Sequence, residues 1–136
     1  MSLIKNKGPF CFPPLRFATV EEGLYRSAYP TLRNLRYLRR LRLRTILAMV
    51  PKDPTADLSE FCKAEGIQLL HQPGRQENGR TSRPLSVSFI ASIISIIIDP
   101  GQLPCLLFCL DGIQFTGVVI MCLRKLQHWH INAIFS

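Results

Sequence analysis

Short apolar runs alternate with helix-favouring segments along most of this chain of 136 residues. The runs that predict buried strands are residues 43–50, 67–71 and 104–108. The segments that predict helices are residues 31–41, 53–64 and 116–127. Strands joined by helices pair in parallel, so this order predicts an α/β fold around a mainly parallel sheet.

The N-terminal part of the chain predicts a hairpin that follows a tail. Residues 15–20 and 24–29 favour two strands, and Gly23 between them can adopt the positive φ of a hairpin turn. Residues 1–14 contain three prolines and favour neither helix nor central strand, so we predict a flexible tail there. The remainder, residues 15–136, can bury one core, and we expect it to form one domain.

The most apolar stretch, residues 87–98, ends after 12 residues, fewer than the roughly 20 needed to cross a bilayer. The surrounding segment, residues 85–98, has the β-branched content of a strand and the length of a helix, and we predict a buried helix. Residues 72–84 are rich in Gly, Arg, Asn, Ser and Pro, so we predict a mobile loop before this helix.

Charge and cysteine content narrow the function classes. The net charge of +8 favours anionic partners such as phosphorylated molecules, nucleic acid or acidic membrane surfaces. Five cysteines are an odd number without zinc-site spacing, so we expect no disulfide framework and no metal. Residues 1–14 also lack the apolar stretch of a signal peptide. These features together indicate a reducing cytoplasmic setting, with the nucleus as an alternative.

Arginines concentrate on the first predicted helix and just after it. Arg33, Arg36 and Arg40 fall on one flank of that helix, and three further arginines accompany them, namely Arg39, Arg42 and Arg44. One interpretation is a solvated basic face. The other is a docking surface for RNA, anionic lipid or an acidic protein, although no aromatic platform accompanies the arginines.

Two stretches of sequence resemble a known family. Residues 12–30, which read FPPLRFATVEEGLYRSAYP, and residues 122–129, which read CLRKLQHW, are similar to the plant and fungal atypical dual-specificity tyrosine phosphatases. The resemblance implies a cysteine-phosphatase-like three-layer sandwich without a cofactor, and an activity on phosphotyrosine or inositol pyrophosphates. It also implies a further helix after Ser136, so truncation and homo-oligomerisation both stay open.

The signature loop of that family, His-Cys-x-x-Gly-x-x-Arg-(Thr or Ser)-Gly, has a degenerate counterpart here. The matching residues are Phe108, Cys109, Leu110, Asp111, Gly112, Ile113, Gln114, Phe115, Thr116 and Gly117. The cysteine, both glycines and the threonine are kept, whereas phenylalanine stands at the histidine and arginine positions. We therefore expect the shape of a phosphate-binding loop without its cation.

The resemblance assigns the role of nucleophile to Cys109, whose thiolate would attack phosphorus. Phe115 offers no donor where the family's guanidinium grips two phosphate oxygens, and Asp111 adds a negative charge. We expect Phe108 and Phe115 to fill the emptied pocket with apolar side chains. A general acid is missing between Asp57 and Asp99, where the sequence has no other aspartate. The mobile loop supplies one acidic residue, Glu77.

The sequence thus predicts a pseudophosphatase that acts by binding or regulation. Its expected partners are a phosphorylated protein, an inositol phosphate, active phosphatase relatives or a second copy of the chain. One alternative is a weakly active cysteine phosphatase that uses Cys109, with Arg75 or Arg80 as anion contacts from the neighbouring loop. Another alternative, which we favour less, is a basic module for RNA or anionic lipid.

Overall fold

The structure of the chain, a computed structural model, describes residues 11–73 and 87–135, with side chains up to residue 129. The strands are β1 Ala18–Glu21, β2 Leu24–Ser27, β3 Thr45–Ala48, β4 Gln68–His71 and β5 Cys105–Phe108. The helices are α1 Leu35–Arg40, α2 Ala56–Glu65, α3 Val87–Ile97 and α4 Gln114–Phe135. Short 3₁₀ turns precede α1 at Leu32–Asn34 and β5 at Pro100–Gln102.

The five strands form one sheet in the order β1-β2-β5-β3-β4. β1 pairs with β2 in antiparallel orientation, and the other three pairs are parallel. Phe108, the last residue of β5, lies opposite Ser27 of β2 and Ala48 of β3. The predicted mainly parallel sheet is confirmed, and it brings the carboxyl ends of three strands together at one edge.

Two apolar clusters lie on the two faces of the sheet, because successive side chains of a strand point to opposite sides. One cluster joins the sheet to α3 and α4 and includes Leu24, Leu47, Ile93, Leu107 and Leu123. The other joins the sheet to α1 and α2 and includes Leu38, Ile46, Leu58, Leu106 and Phe108. Helices therefore cover both faces, which confirms the three-layer α/β sandwich.

The turn and cap residues account for most element boundaries. Gly23 has φ +82 in the β1–β2 turn, and Gly66 ends α2 with φ +71, as the sequence predicts. Thr55 caps α2, since its hydroxyl accepts a hydrogen bond from the amide of Leu58, so this helix begins two residues beyond the predicted Asp53-Pro54 start. The prediction of a helix rather than a strand in residues 85–98 is confirmed by α3, but the expected burial is wrong for most of it, since Ile93 and Ile97 are its buried residues and Val87 is exposed.

The N-terminal segment contacts the domain as far back as the structure describes it. The amide nitrogen Nδ2 of Asn34 donates to the carbonyl oxygens of Phe12 and Pro13 at 3.0 and 3.2 Å. The Arg33 guanidinium lies 4.5 Å from the centre of the Phe12 ring. Residues 1–10 lie outside the described residues, and the predicted tail boundary at residue 14 stays a prediction.

The described ranges, residues 11–73 and 87–135, contain neither a candidate membrane span nor a candidate metal site. No helix there is both long enough and apolar enough to cross a membrane. No group of three or more His, Cys, Asp or Glu side chains there is placed to hold a metal ion. All five cysteines are free thiols.

Candidate anion-binding loop

A tight loop leaves the carboxyl end of β5, in the middle of the sheet, and leads into α4. Its residues run from Cys109 to Ile113, and the side chain of Cys109 is 2% exposed. α4 extends over 22 residues, and its first turn presents amide groups that have no acceptor within the helix, at the positive end of a long helix dipole. A loop of this kind, between a central strand and a helix, is where α/β proteins bind anions.

Gly112 sets the path of the loop. Its φ of +73 favours glycine, and a Cβ at this position would lie 2.8 Å from the backbone nitrogen of Ala28. The amide of Tyr29 also donates to the carbonyl oxygen of Leu110 at 3.4 Å. The loop is therefore pressed against the end of β2, as close as a glycine permits.

Cys109 keeps one partner that suits a reactive sulfur. The hydroxyl of Thr116, which is fully buried, donates to Sγ of Cys109 at 3.1 Å. Sγ also lies 3.5 Å from Oδ1 of Asp111, to which the thiol donates. The side chains predicted from the signature loop to surround Cys109 are thus brought together.

Asp111 turns its carboxylate inward onto the loop. Its Oδ1 accepts hydrogen bonds from the amides of Ile113 at 2.9 Å and Gln114 at 3.1 Å. The Ile113 amide is the main cause that holds the pKa of Asp111 below its usual value, with smaller contributions from the Gln114 amide and the Cys109 thiol. These contacts explain why α4 begins at Gln114 rather than at the predicted Thr116.

In the described part of the chain, the guanidinium groups of Arg16 and Arg26 reach the loop and bind its carbonyl oxygens. Nε of Arg16 donates to the carbonyl of Asp111 at 3.1 Å, and Nη2 of Arg26 donates to the carbonyl of Gly112 at 3.4 Å. The carbonyl of Gly112 and the amide of Ile113 belong to one planar trans peptide, so they point in opposite directions. Arg26 therefore lies on the side of this peptide away from the amide that Asp111 binds.

The two phenylalanines at the signature positions pack on different sides of the sheet. Phe108 is fully buried in the cluster beneath α1 and α2, with its ring edge to face with Tyr29 at 4.9 Å. Phe115 is half-buried and packs against the cluster beneath α3 and α4. The hypothesis that the two rings together fill one emptied pocket is wrong.

A cleft of about 350 Å³ opens beside the loop, between Leu110 and the segment that follows β3. Lys52 and Asp53 line it. Nε2 of His71 lies 2.7 Å from the carbonyl of Val50, and because a carbonyl only accepts, Nε2 carries a proton. Nδ1 of the same ring is 3.6 Å from Oδ1 of Asp53.

Sequence reasoning missed three of these residues. Asp53 was overlooked as a carboxylate near the loop, although it lies in the segment that follows β3 and lines the same cleft as Leu110. Arg16 and Arg26 were not singled out within residues 12–30, because only the folded sheet brings them to the loop. The predicted anion contacts Arg75 and Arg80, and Glu77, lie outside the described residues.

Known proteins match this chain over most of its length. The tyrosine phosphatase family matches residues 11–136. This chain belongs to that family. Relatives in the family include the "Probable tyrosine-protein phosphatase DG1060" of Dictyostelium discoideum, 36% identical over 91% of this chain and 74% of that protein. Inositol diphosphatase DSP1 of Oryza sativa subsp. japonica is 37% identical over 91% of this chain and 55% of its own length.

A solved structure of a phosphatase also matches this fold. The core catalytic domain of the PP-IP phosphatase SIW14 from Saccharomyces cerevisiae, in complex with citrate, superposes with a TM-score of 0.79. The identity is 31%, and the match covers 92% of this chain and 74% of that domain. The sequence-based assignment to a cysteine-phosphatase-like fold is therefore confirmed.

Proposed function

We propose that this tyrosine phosphatase family domain binds a phosphorylated ligand or a protein partner and does not hydrolyse phosphate esters at the rate of an active phosphatase. One observation carries the proposal. Phe115 occupies the position that the resemblance assigns to the signature arginine, and its ring packs against core residues. The guanidiniums of Arg16 and Arg26 bind backbone carbonyls instead.

The size of the loss follows from what the arginine does in the chemistry. A guanidinium holds two oxygens of the transferred phosphoryl group and stabilises the charge that develops there. Removal of one preorganised donor from such a site costs about 10²–10³-fold in turnover, and this donor is charged and bidentate. The negative charge of Asp111 works in the same direction, because it repels an incoming phosphate.

A weakly active enzyme is the second candidate function, and specific contacts favour it. The hydroxyl of Thr116 still donates to Sγ of Cys109, which would help to stabilise a thiolate. Asp53 and Lys52 line the cleft next to the loop and could supply an acid and a cation. Relatives named inositol diphosphatases suggest inositol pyrophosphates as the substrate for this candidate, with phosphotyrosine as the other choice.

The partners of the binding domain follow from its charge. A net charge of +8 favours an anionic partner, such as an inositol phosphate or a phosphorylated protein. A nucleic-acid or lipid partner for the arginines near α1 has less support, because several of these arginines already have partners within the chain. Arg39 pairs with Glu65 at 3.1 Å, and Arg44 donates to the carbonyl of Gly101 at 3.2 Å.

Turnover measured against a dead variant tests the proposal. We expect wild type and Cys109→Ser to release phosphate from an aryl phosphate and from an inositol pyrophosphate at the same background rate. Phe115→Arg should show a gain that disappears in the Cys109→Ser background, while the matched apolar variant Phe115→Leu should show none. Wild-type turnover that Cys109→Ser abolishes would establish the weak enzyme instead. Thermal unfolding of each variant checks that it is folded.

A further inference from the structure

Oδ1 of Asp111, an exposed carboxylate, has three donors around it. The amides of Ile113 and Gln114 donate at 2.9 and 3.1 Å, and the thiol of Cys109 donates at 3.5 Å. The two amides are consecutive and lie at the start of α4. Consecutive amides at a helix start, next to the sulfur, are the donors that an oxyanion oxygen would meet in this loop.

The carboxylate and an incoming anion compete for the same donors. Each backbone amide carries a single hydrogen, so an anion oxygen can bind the amide of Ile113 only after Oδ1 of Asp111 leaves it. The competition is also electrostatic, since two negative oxygens cannot share the space above Cys109 without repulsion. Asp111 therefore has the effect of an anion that is already bound.

The backbone of the loop is fixed independently of Asp111. Gly112 contacts the end of β2, Arg26 holds the carbonyl of Gly112 from the far side, and Arg16 holds the carbonyl of Asp111. The Asp111 side chain itself is exposed, so rotation about its side-chain bonds can carry the carboxylate into solvent. Displacement thus requires a side-chain rotation and leaves the path of the loop unchanged.

We infer that Asp111 closes the loop by occupying its anion site, and that phosphate-like anions bind only when the Asp111 carboxylate swings out. The inference rests on the proposed function, in which this loop is a binding site. It assigns to Asp111 the control of that site, in addition to the loss of the arginine at position 115. The two effects are separable by substitution, because Asp111→Asn changes only the first and Phe115→Arg changes only the second.

Equilibrium binding of inorganic phosphate and of tungstate to the whole chain tests the inference. Chemical shifts of the Ile113 and Gln114 amides provide a residue-specific readout for each variant. We expect Asp111→Ala to bind either anion at least about tenfold more tightly than wild type, with the largest shifts at these two amides. The affinity of Asp111→Asn should lie between those of wild type and Asp111→Ala, because its neutral Oδ1 can still accept hydrogen bonds from the amides.

The chain offers a matched control for the loss of a cap. Asp99 makes the same kind of contact at the 3₁₀ turn before β5, where its Oδ1 accepts from the amide of Gly101 at 2.9 Å. Asp99→Ala should leave the affinity for both anions unchanged. Asp111→Asn preserves the cap, so a tighter affinity in this folded variant would support the inference even if Asp111→Ala unfolds.

Two results would overturn the inference. Affinities for phosphate and tungstate that are equal in wild type, Asp111→Asn and Asp111→Ala would show that Asp111 does not close the loop. Tighter binding without shifts at Ile113 and Gln114 would place the anion elsewhere. Neither result bears on turnover, so the proposed function can fail through Cys109-dependent hydrolysis while this inference holds, and the reverse is also true.

Discussion

Gly112→Ala should be the most damaging single change in the loop. Two penalties combine at this residue. An alanine at φ +73 costs about 1–2 kcal/mol, because a Cβ crowds the carbonyl in the left-handed region. The new Cβ would also lie 2.8 Å from the nitrogen and 3.0 Å from the Cα of Ala28, and both are backbone atoms that cannot rotate away. Overpacking of this kind costs about 1–3 kcal/mol.

The chain contains a second glycine that separates these two penalties. Gly66, at the end of α2, has nearly the same φ of +71, but a Cβ there would meet nothing within 4 Å. Gly66→Ala should therefore cost only the conformational part, about 1–2 kcal/mol. Gly112→Ala should cost about 2–5 kcal/mol, the sum of the conformational and steric penalties.

Urea unfolding of wild type and the two variants measures both free energies, from the midpoint and slope of each transition. The difference between the variants isolates the contact of the loop with β2. If both variants lose the same free energy within about 0.5 kcal/mol, the loop is not pressed against Ala28 and the close approach is refuted. If Gly112→Ala lowers the free energy of unfolding, the chemical shifts of the Ile113 and Gln114 amides should also change, since the loop must move to admit the methyl group.

Three further predictions test other parts of the fold. Asn34→Ala removes two hydrogen bonds to the N-terminal segment, so it should lower the free energy of unfolding by about 1–3 kcal/mol and speed proteolysis of that segment. An unchanged cleavage rate would contradict the anchoring. Burial raises the pKa of the Cys62 thiol to about 11 and that of Cys105 to about 12, so alkylation near pH 8 followed by mass spectrometry should label Cys122 long before either of them. The pKa of Asp111 is lower in the folded state than in the unfolded chain. Ionised Asp111 therefore stabilises the fold at pH values above the unfolded pKa, and this stabilisation is lost as the pH falls through the folded pKa. Wild type should therefore lose more stability than Asp111→Asn below about pH 4, and parallel decline of the two in urea titrations would refute this.

Local pattern predicted the elements well because the signals that set them are local. A glycine at a turn, a proline after an apolar run and a twelve-residue apolar segment act within a few positions of themselves. The turn at Gly23, the helix end at Gly66 and the helical character of α3 were predicted on this basis and confirmed. The order of strands in the sheet is not set by local signals. Nothing in the residues of β5 indicates that it inserts between β2 and β3, since that order depends on packing between distant segments.

The candidate site also combines local features, which the sequence predicts, with contacts between distant residues, which it does not. The signature spacing from Cys109 to Gly117 is local, and the resemblance located the loop from it. Which groups face the loop is not local, because the contact between Arg26 and Gly112 joins residues 86 positions apart. The inward turn of Asp111 is a rotamer choice that sequence does not specify. Charge alone had suggested repulsion by Asp111, whereas the structure shows hydrogen bonds to the amides that an anion would use.

The state of the loop follows from a requirement on its backbone. Amides that converge on one point at a helix start favour an anionic acceptor, because their partial positive charges add there. A phosphatase loop with its arginine can draw that acceptor from solution, since the guanidinium attracts phosphate. Under our proposal Phe115 stands at that position and supplies no such attraction, so a loop of the same shape gains from another anion. Asp111 supplies its own carboxylate to the amides of Ile113 and Gln114, and in our inference a phosphate can bind there only after this carboxylate has left.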